Sequence, residues 1–250
     1  MFKILFALTI LLEFFTVPMF LKYYWPEKCK QSMLFKMISA TLFVLCAVFA
    51  MKVSGNNTPY AYCMLWGLMF GWLGDLLLHW LTPKPAIYAV GVVGFLTGHI
   101  FYLVALQKAI EKTYPGSPAI AWYEVVIVIA LVTIGILLAV AYIRNIVKGR
   151  EVMIFGGLGY GIILVTMAVK AARYVIGEWA YGTNDHMVAI FFTVFIGALL
   201  FVTSDLLLAI IIGFKKKSRM LRIINIATYF PAQILLASSI LFVQSAYPLY

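Results

Sequence analysis

Acidic residues are scarce in this chain: Asp and Glu together number 9 in 250 residues, and charged residues of both signs reach only 11%. A soluble domain carries nearer ~25%, so a surface facing water on every side is excluded. Cysteine is rare too. Cys29, Cys46 and Cys63 fall in no metal-ligand spacing. Cys46 and Cys63 lie in apolar runs, where a thiol behaves as a small hydrophobe, and no disulfide is expected. The three histidines form no His-Glu-x-x-His or paired-His pattern, which leaves a zinc centre short of ligands. What abounds is apolar: 64% of residues are hydrophobic, against ~45–50% in soluble domains. The chain reads as an integral membrane protein. Its formal net charge of +10 then points to anionic lipid head groups, not nucleic acid, as the counter-charge.

A membrane helix needs ~20 mainly apolar residues. Pro, Gly and charge clusters divide the sequence into eight such runs, at 3–21, 33–53, 60–80, 86–107, 120–143, 152–176, 187–213 and 220–246. The first, Ile4 to Leu21, has no Ala-x-Ala-like cleavage site and reads as a span, not a signal peptide. The connections leave no room for a soluble domain. An all-α membrane bundle of about eight transmembrane helices is expected, with 1–250 as a single transmembrane domain. Lys and Arg split thirteen to six between alternate connections. By the positive-inside rule the richer set, with Lys22, Lys28, Lys36, Arg219 and Arg222, is cytoplasmic, and both termini are non-cytoplasmic. The run Lys215-Lys216-Lys217-Ser218-Arg219 reads as a determinant of topology and lipid contact.

Inside these spans two carboxylates need an explanation. Asp75 lies in the apolar stretch from Trp66 to Trp80. An ionised Asp at the centre of a membrane helix costs roughly 2.5–3.5 kcal/mol on insertion scales, so it belongs in a bundle interior, paired or wetted. Asp205 repeats the device: Gly74-Asp75-Leu76-Leu77-Leu78 is answered by Ser204-Asp205-Leu206-Leu207-Leu208. Both acids are expected in the cytoplasmic halves of their helices, at similar depth. The next helices answer each other as well. Phe95 precedes His99, and Tyr229 precedes Gln233, by one turn on the same face. The pattern allows two parallel four-helix repeats, an arrangement shared with transporters. Pro231 should bend the last helix.

In order along the chain stand Lys36 opening the second helix, Gly-Asp-Leu-Leu-Leu at 74–78, Phe95-x-x-x-His99-x-x-Tyr102, Tyr160 with Met167, Ser204-Asp205-Leu206-Leu207, and Tyr229-x-x-Ala232-Gln233. With these the chain resembles the lysoplasmalogenase family, the YhhN-like membrane proteins. It departs at Met37, where the family commonly has Pro, and at Phe230-Pro231. The resemblance implies hydrolysis of the vinyl ether bond of lysoplasmalogens, giving a fatty aldehyde and glycerophospho-ethanolamine or -choline. It implies Asp75 and Asp205 as the catalytic carboxylates, with a lysophospholipid as substrate, in a bacterial inner membrane or an endoplasmic reticulum.

A vinyl ether hydrolyses when an acid protonates its β-carbon and water captures the oxocarbenium ion. Two carboxylates in unlike states suit that chemistry, as in glycosidases, and neither a metal nor another cofactor is required. His99 is expected to orient water or tune the proton, Tyr102 and Tyr229 to bond the carboxylates, Gln233 to fix a water, and Lys36 to meet a lipid phosphate. Each has a structural reading beside it. A buried Asp also glues helices, His99 packs as an ordinary buried histidine, Lys36 snorkels, and His79 lies at the interface beside Trp80, one turn from Asp75. Two rival functions use the same acids: a proton-coupled membrane transporter, and a metal-dependent lipid hydrolase on Asp75, His79 and His99. A non-enzymatic lipid scaffold is the third.

Overall fold

The computed structural model describes residues 1–25, 27–80, 84–143, 151–182, 185–213 and 218–244. Lys215 to Lys217 of the basic run lie outside them. The elements among the described residues are all helical: α1 Phe2–Tyr23, α2 Lys30–Ser54, α3 Pro59–Leu78, α4 Pro85–Thr113, α5 Trp122–Ile143 and α6 Glu151–Tyr181. α7 is continuous through Met187–Ile190, a π-helical stretch Phe191–Ile196 and Gly197–Gly213, and α8 is Arg219–Ser238, closed by the 3₁₀ turn Ser239–Leu241. Seven of these eight helices are long and apolar enough to cross a membrane, and the apolar part of α5 described is Trp122–Leu137. The chain is a multi-pass integral membrane protein.

Local chemistry sets the boundaries. The Cys29 thiol and Ser32 hydroxyl cap the start of α2 reciprocally, and Gly55 ends it at φ 64°, a left-handed conformation that favours glycine. Pro59 and Pro85 open α3 and α4, where a missing N–H costs nothing. Ser218 caps α8 by accepting from the Leu221 N–H. α8 continues helically through Pro231. α4 runs to Thr113, six residues past the run read from the sequence. Its last turns are polar: Lys108 pairs with Glu111 at 2.9 Å, and Thr113 donates to Glu178 of α6.

Neighbouring helices pack as α1 on α2, α2 on α3, α3 on α4, α4 on α6, α5 on α6, α6 on α7, α7 on α8 and α8 back on α2. Exchanging helices 1–4 for 5–8 maps the pair α1/α2 onto α5/α6, α3/α4 onto α7/α8, and α4/α6 onto α8/α2. The halves therefore share a packing scheme, in the manner of parallel repeats. α3 and α4 approach most closely along glycines. A Cβ on Gly98 would lie 2.9 Å from the Gly67 carbonyl, and one on Gly74 2.5 Å from the Phe95 ring, so small residues are what let these backbones meet. Leu11, Phe14, Phe15, Val126, Ile129 and Ile162 stay exposed. In a bilayer these are lipid contacts and not a defect.

The two ends of the bundle differ. At one, Lys28 Nζ bonds the Leu78 carbonyl at 2.7 Å, and Arg222 lies over the Tyr24 ring. At the other, Glu124 at the start of α5 receives Arg173 at 2.8 Å and Lys170 at 3.4 Å, both from α6. Lys170 also bonds Gln107 and the Ala119 carbonyl, pinning the α4–α5 connection. His186 belongs to this end, its ring 5.5 Å from that of Phe242.

Candidate active site

The glycine seam of α3 has a consequence for the polar interior. A Cβ on Gly71 would stand 3.0 Å from Gln233 Nε2, and one on Gly67 would enter the Tyr102 ring. The space these glycines leave is filled by a directed hydrogen-bond chain. Tyr102 donates to Gln233 Oε1 at 2.8 Å, Gln233 Nε2 donates to Tyr229 at 3.0 Å, and the Tyr229 hydroxyl donates to Asp75 Oδ2 at 2.7 Å. Gln233 is fully buried and Asp75 is 1% exposed. On its other oxygen, Oδ1, Asp75 receives the Lys36 ammonium at 2.7 Å. Both carboxylate oxygens thus accept from donors, one of them a cation, and the chain of donors polarises toward the acid.

Asp205 lies across the same interior with other company. Its Oδ2 accepts the Tyr160 hydroxyl from α6 and faces His99 Nε2 at 4.0 Å. The other imidazole nitrogen, Nδ1, is 2.7 Å from the Phe95 carbonyl. A carbonyl only accepts, so Nδ1 carries the hydrogen and Nε2 presents a lone pair. That Nε2 is buried and has no hydrogen-bond partner among the described residues. A buried acceptor without a donor is costly to leave unmet. Ser204, beside Asp205, exchanges bonds with Asn225 at 2.7–3.2 Å, which fixes α7 against α8 at this level.

An aromatic wall joins the two acids. The Phe201 ring is 4.7 Å from His99 and 5.6 Å from Tyr229, and His99 is 5.4 Å from Tyr160. Apolar faces on this scale exclude bulk water and strengthen every charge interaction inside. Through Phe201 this wall runs from His99, beside Asp205, to Tyr229, the donor to Asp75.

The order of motifs along the chain now has a geometric counterpart, and the YhhN family model matches residues 31–240. The chain belongs to the YhhN family. That family includes lysoplasmalogenases. No curated protein and no solved structure matches the chain.

In this YhhN protein, Asp75, Asp205, His99, Lys36, Tyr102, Tyr229 and Gln233 all converge on one interior region. Lys36, read from the sequence as meeting a lipid phosphate, is engaged by Asp75, its side chain 14% exposed. Gln233 is held between two tyrosines. His79, at the end of α3, is only 2% exposed, with Nε2 3.0 Å from Ser32 Oγ and its ring against Phe20 and Tyr24. Burial, with the charges of Lys36, Lys28 and Arg222, holds its imidazole well below the ordinary value. Asp75 does not share the distance of Asp205 from its helix end, because α3 stops at Leu78 while α7 continues to Gly213. The zinc set does not assemble, since His79 and His99 face different partners and no group of three His, Cys, Asp or Glu able to hold a metal occurs among the described residues.

Two residues were under-read. Tyr160 appeared only as a family motif, and its role as the donor to Asp205 could not be read from spacing. Glu13 lies in the first apolar run, 7% exposed, with Thr16 donating to Oε2 at 3.5 Å, Ser39 donating to Thr16 at 2.7 Å, and Oε1 unpartnered. It is a further buried carboxyl, set on the seam between α1 and α2. The signal was present, since an acid inside a span is functional by default.

Proposed function

We propose that this protein is a lysoplasmalogenase, a membrane hydrolase cleaving the vinyl ether of lysoplasmenyl-ethanolamine or -choline by carboxylate acid–base catalysis. The observation that carries the reading is the inequality of the two buried acids. Asp75 accepts from an ammonium and a phenol, the surroundings of an anion. Asp205 has a phenol but no Lys or Arg partner among the described residues, and it faces the lone pair of His99 Nε2. One proton must lie between these two acceptors, and placing it on Asp205 leaves His99 neutral and makes Asp205 the acid.

Asp205 gives its proton to the β-carbon of the vinyl ether, the carbon not bonded to oxygen, and the double bond shifts to form an oxocarbenium ion. The Asp75 carboxylate stabilises that cation, as the paired carboxylates of glycosidases do. Water adds to the carbon bearing the oxygen, oriented by His99 Nε2, and its proton returns to Asp205. The resulting hemiacetal loses its hydroxyl proton as the bond to the glycerol oxygen breaks, and that oxygen takes up a proton. The sum is one water consumed, with a fatty aldehyde and a glycerophospho-alcohol released. No step draws on a metal or other cofactor.

The test is to incubate the purified protein with lysoplasmenyl-ethanolamine and with its ester analogue, measuring free aldehyde and free fatty acid. Aldehyde from the first substrate alone is the expected result. Fatty acid from the ester, or uptake into proteoliposomes without cleavage of either lipid, would replace this reading with an esterase or a carrier. Aldehyde release lost to a chelator and restored by zinc would require a metal.

A further inference from the structure

Where α1 ends and α8 begins there is a cavity of about 310 Å³ walled by Lys22, Tyr24, Trp25, Arg219 and Arg222. Pro18, Leu21 and Ile223 give it an apolar side. The Arg222 guanidinium stands 4.9 Å from the Tyr24 ring and 5.6 Å from the Trp25 ring. Stacking of this kind orients the planar fork. Its Nε is buried without a hydrogen-bond partner among the described residues.

The charges at this end are out of balance. Every ion pair among the described residues lies elsewhere, and none includes Lys22, Lys28, Arg219 or Arg222. Arg219 and Arg222 sit in the opening turn of α8, which has no acidic residue. There they add to the positive end of the helix dipole, the reverse of the favourable arrangement. Lys28, at the same end, gives its ammonium to the Leu78 carbonyl and to no acid among the described residues. A helix start that breaks the local electrostatic rule in this way marks a place where an anion is received.

We propose that this cavity binds the phosphate of a phospholipid head group, with Arg222 and Lys22 as its direct ligands. The fork of Arg222 matches phosphate oxygens in paired hydrogen bonds. Lys22 and Arg219 supply point charge from the rim. The apolar side formed by Pro18, Leu21 and Ile223 takes the first methylenes of the lipid, so the site reads a charged head joined to an apolar tail. Basic pockets between membrane helices hold lipid head groups by this combination. The proposal needs no vinyl ether and stands independently of the reaction assigned to Asp75 and Asp205.

The test is native mass spectrometry of the delipidated full-length protein, titrated with phosphatidylglycerol, with the diacylglycerol of the same chains, and with inorganic phosphate. Phosphatidylglycerol adducts should form where diacylglycerol adducts do not. Arg222→Gln should weaken them by about tenfold, with Arg222→Lys falling between because it keeps charge but loses the fork. Lys22→Gln, a change at an exposed residue that leaves the fold intact, should weaken them by about threefold and decides the matter if Arg222→Gln fails to fold. Equal binding of diacylglycerol, or unchanged binding in both glutamine variants, would overturn the proposal. Displacement of the lipid by millimolar inorganic phosphate would make free phosphate the ligand and overturn the assignment to lipid.

Discussion

Asp75 and Asp205 sit in nearly the same pentapeptide, on the third helix of each half of the chain, and the folded protein treats them differently. Each acid takes one partner from the helix before its own. For Asp75 that is Lys36 of α2, and for Asp205 it is Tyr160 of α6. Each takes a second from the last helix of the other half, Tyr229 of α8 for Asp75 and His99 of α4 for Asp205. The scheme is the same and the residues are not. A cation in one half stands where a phenol stands in the other, and a phenol where an imidazole stands. A repeated scaffold thereby gives two carboxylates unlike surroundings, which is what the proposed reaction, with one acid and one anion, requires.

That comparison can be broken at several points. The largest effect is expected from removing either acid: Asp75→Asn and Asp205→Asn should each lower aldehyde release by roughly 10²–10⁴-fold, with the thermal midpoint of Asp205→Asn near wild type and that of Asp75→Asn lower, because it leaves the Lys36 ammonium without its counter-charge. Asparagine at either site that leaves turnover within a few-fold would return that Asp to interhelical glue.

Next comes Lys36→Met, which leaves the Asp75 charge buried without its cation. Breaking such a pair costs about 3–5 kcal/mol, so the thermal midpoint in detergent should fall sharply. Adding Asp75→Asn should recover most of the loss, because no charge then remains to be compensated. A Lys36→Met protein as stable as wild type would show that the pair is not what holds α2 to α3.

Tyr160→Phe and Tyr229→Phe make a smaller, matched pair. Each removes one donor to a carboxylate and should cost about 1–3 kcal/mol in the step it serves, read as kcat with the fold intact. Tyr229→Phe also interrupts the chain from Tyr102 through Gln233, and should therefore cost more. The reverse order would contradict the directed chain.

The smallest effect is expected at His79. Its imidazole is held low in the folded protein, so the unfolded chain binds a proton below about pH 6.5 that the folded one does not. Stability should fall as pH drops through that value, and His79→Gln should flatten the dependence without altering kcat. An unchanged slope of thermal midpoint against pH between 5 and 7 would show that another group governs it.

The sequence showed the spans and the two acids because both are strong local signals: a run of apolar residues, and a charge where none is cheap. Turn spacing also put Tyr229 and Gln233 on one face. Pairing across helices was beyond it. Lys36 looked like a residue at a helix end because its long side chain hides how far its ammonium travels, and only the crossing of α2 on α3 delivers it to Asp75. Tyr160 and Asp205 lie on helices whose mutual tilt no periodicity encodes. His79 was read from its place beside Trp80 at a helix end, and nothing in that spacing foretells the Phe20 and Tyr24 rings of α1 and its C-cap that bury it. Glu13 was absorbed into an apolar run that already had an explanation.

The central claim is that Asp75 and Asp205 act as one unit, and the double variant measures it most directly. Aldehyde release from lysoplasmenyl-ethanolamine should be scarcely lower in Asp75→Asn/Asp205→Asn than in the worse single variant, because groups that serve one step are strongly non-additive. If the losses of the two single variants instead multiply in the double, the acids act separately and the shared site is wrong.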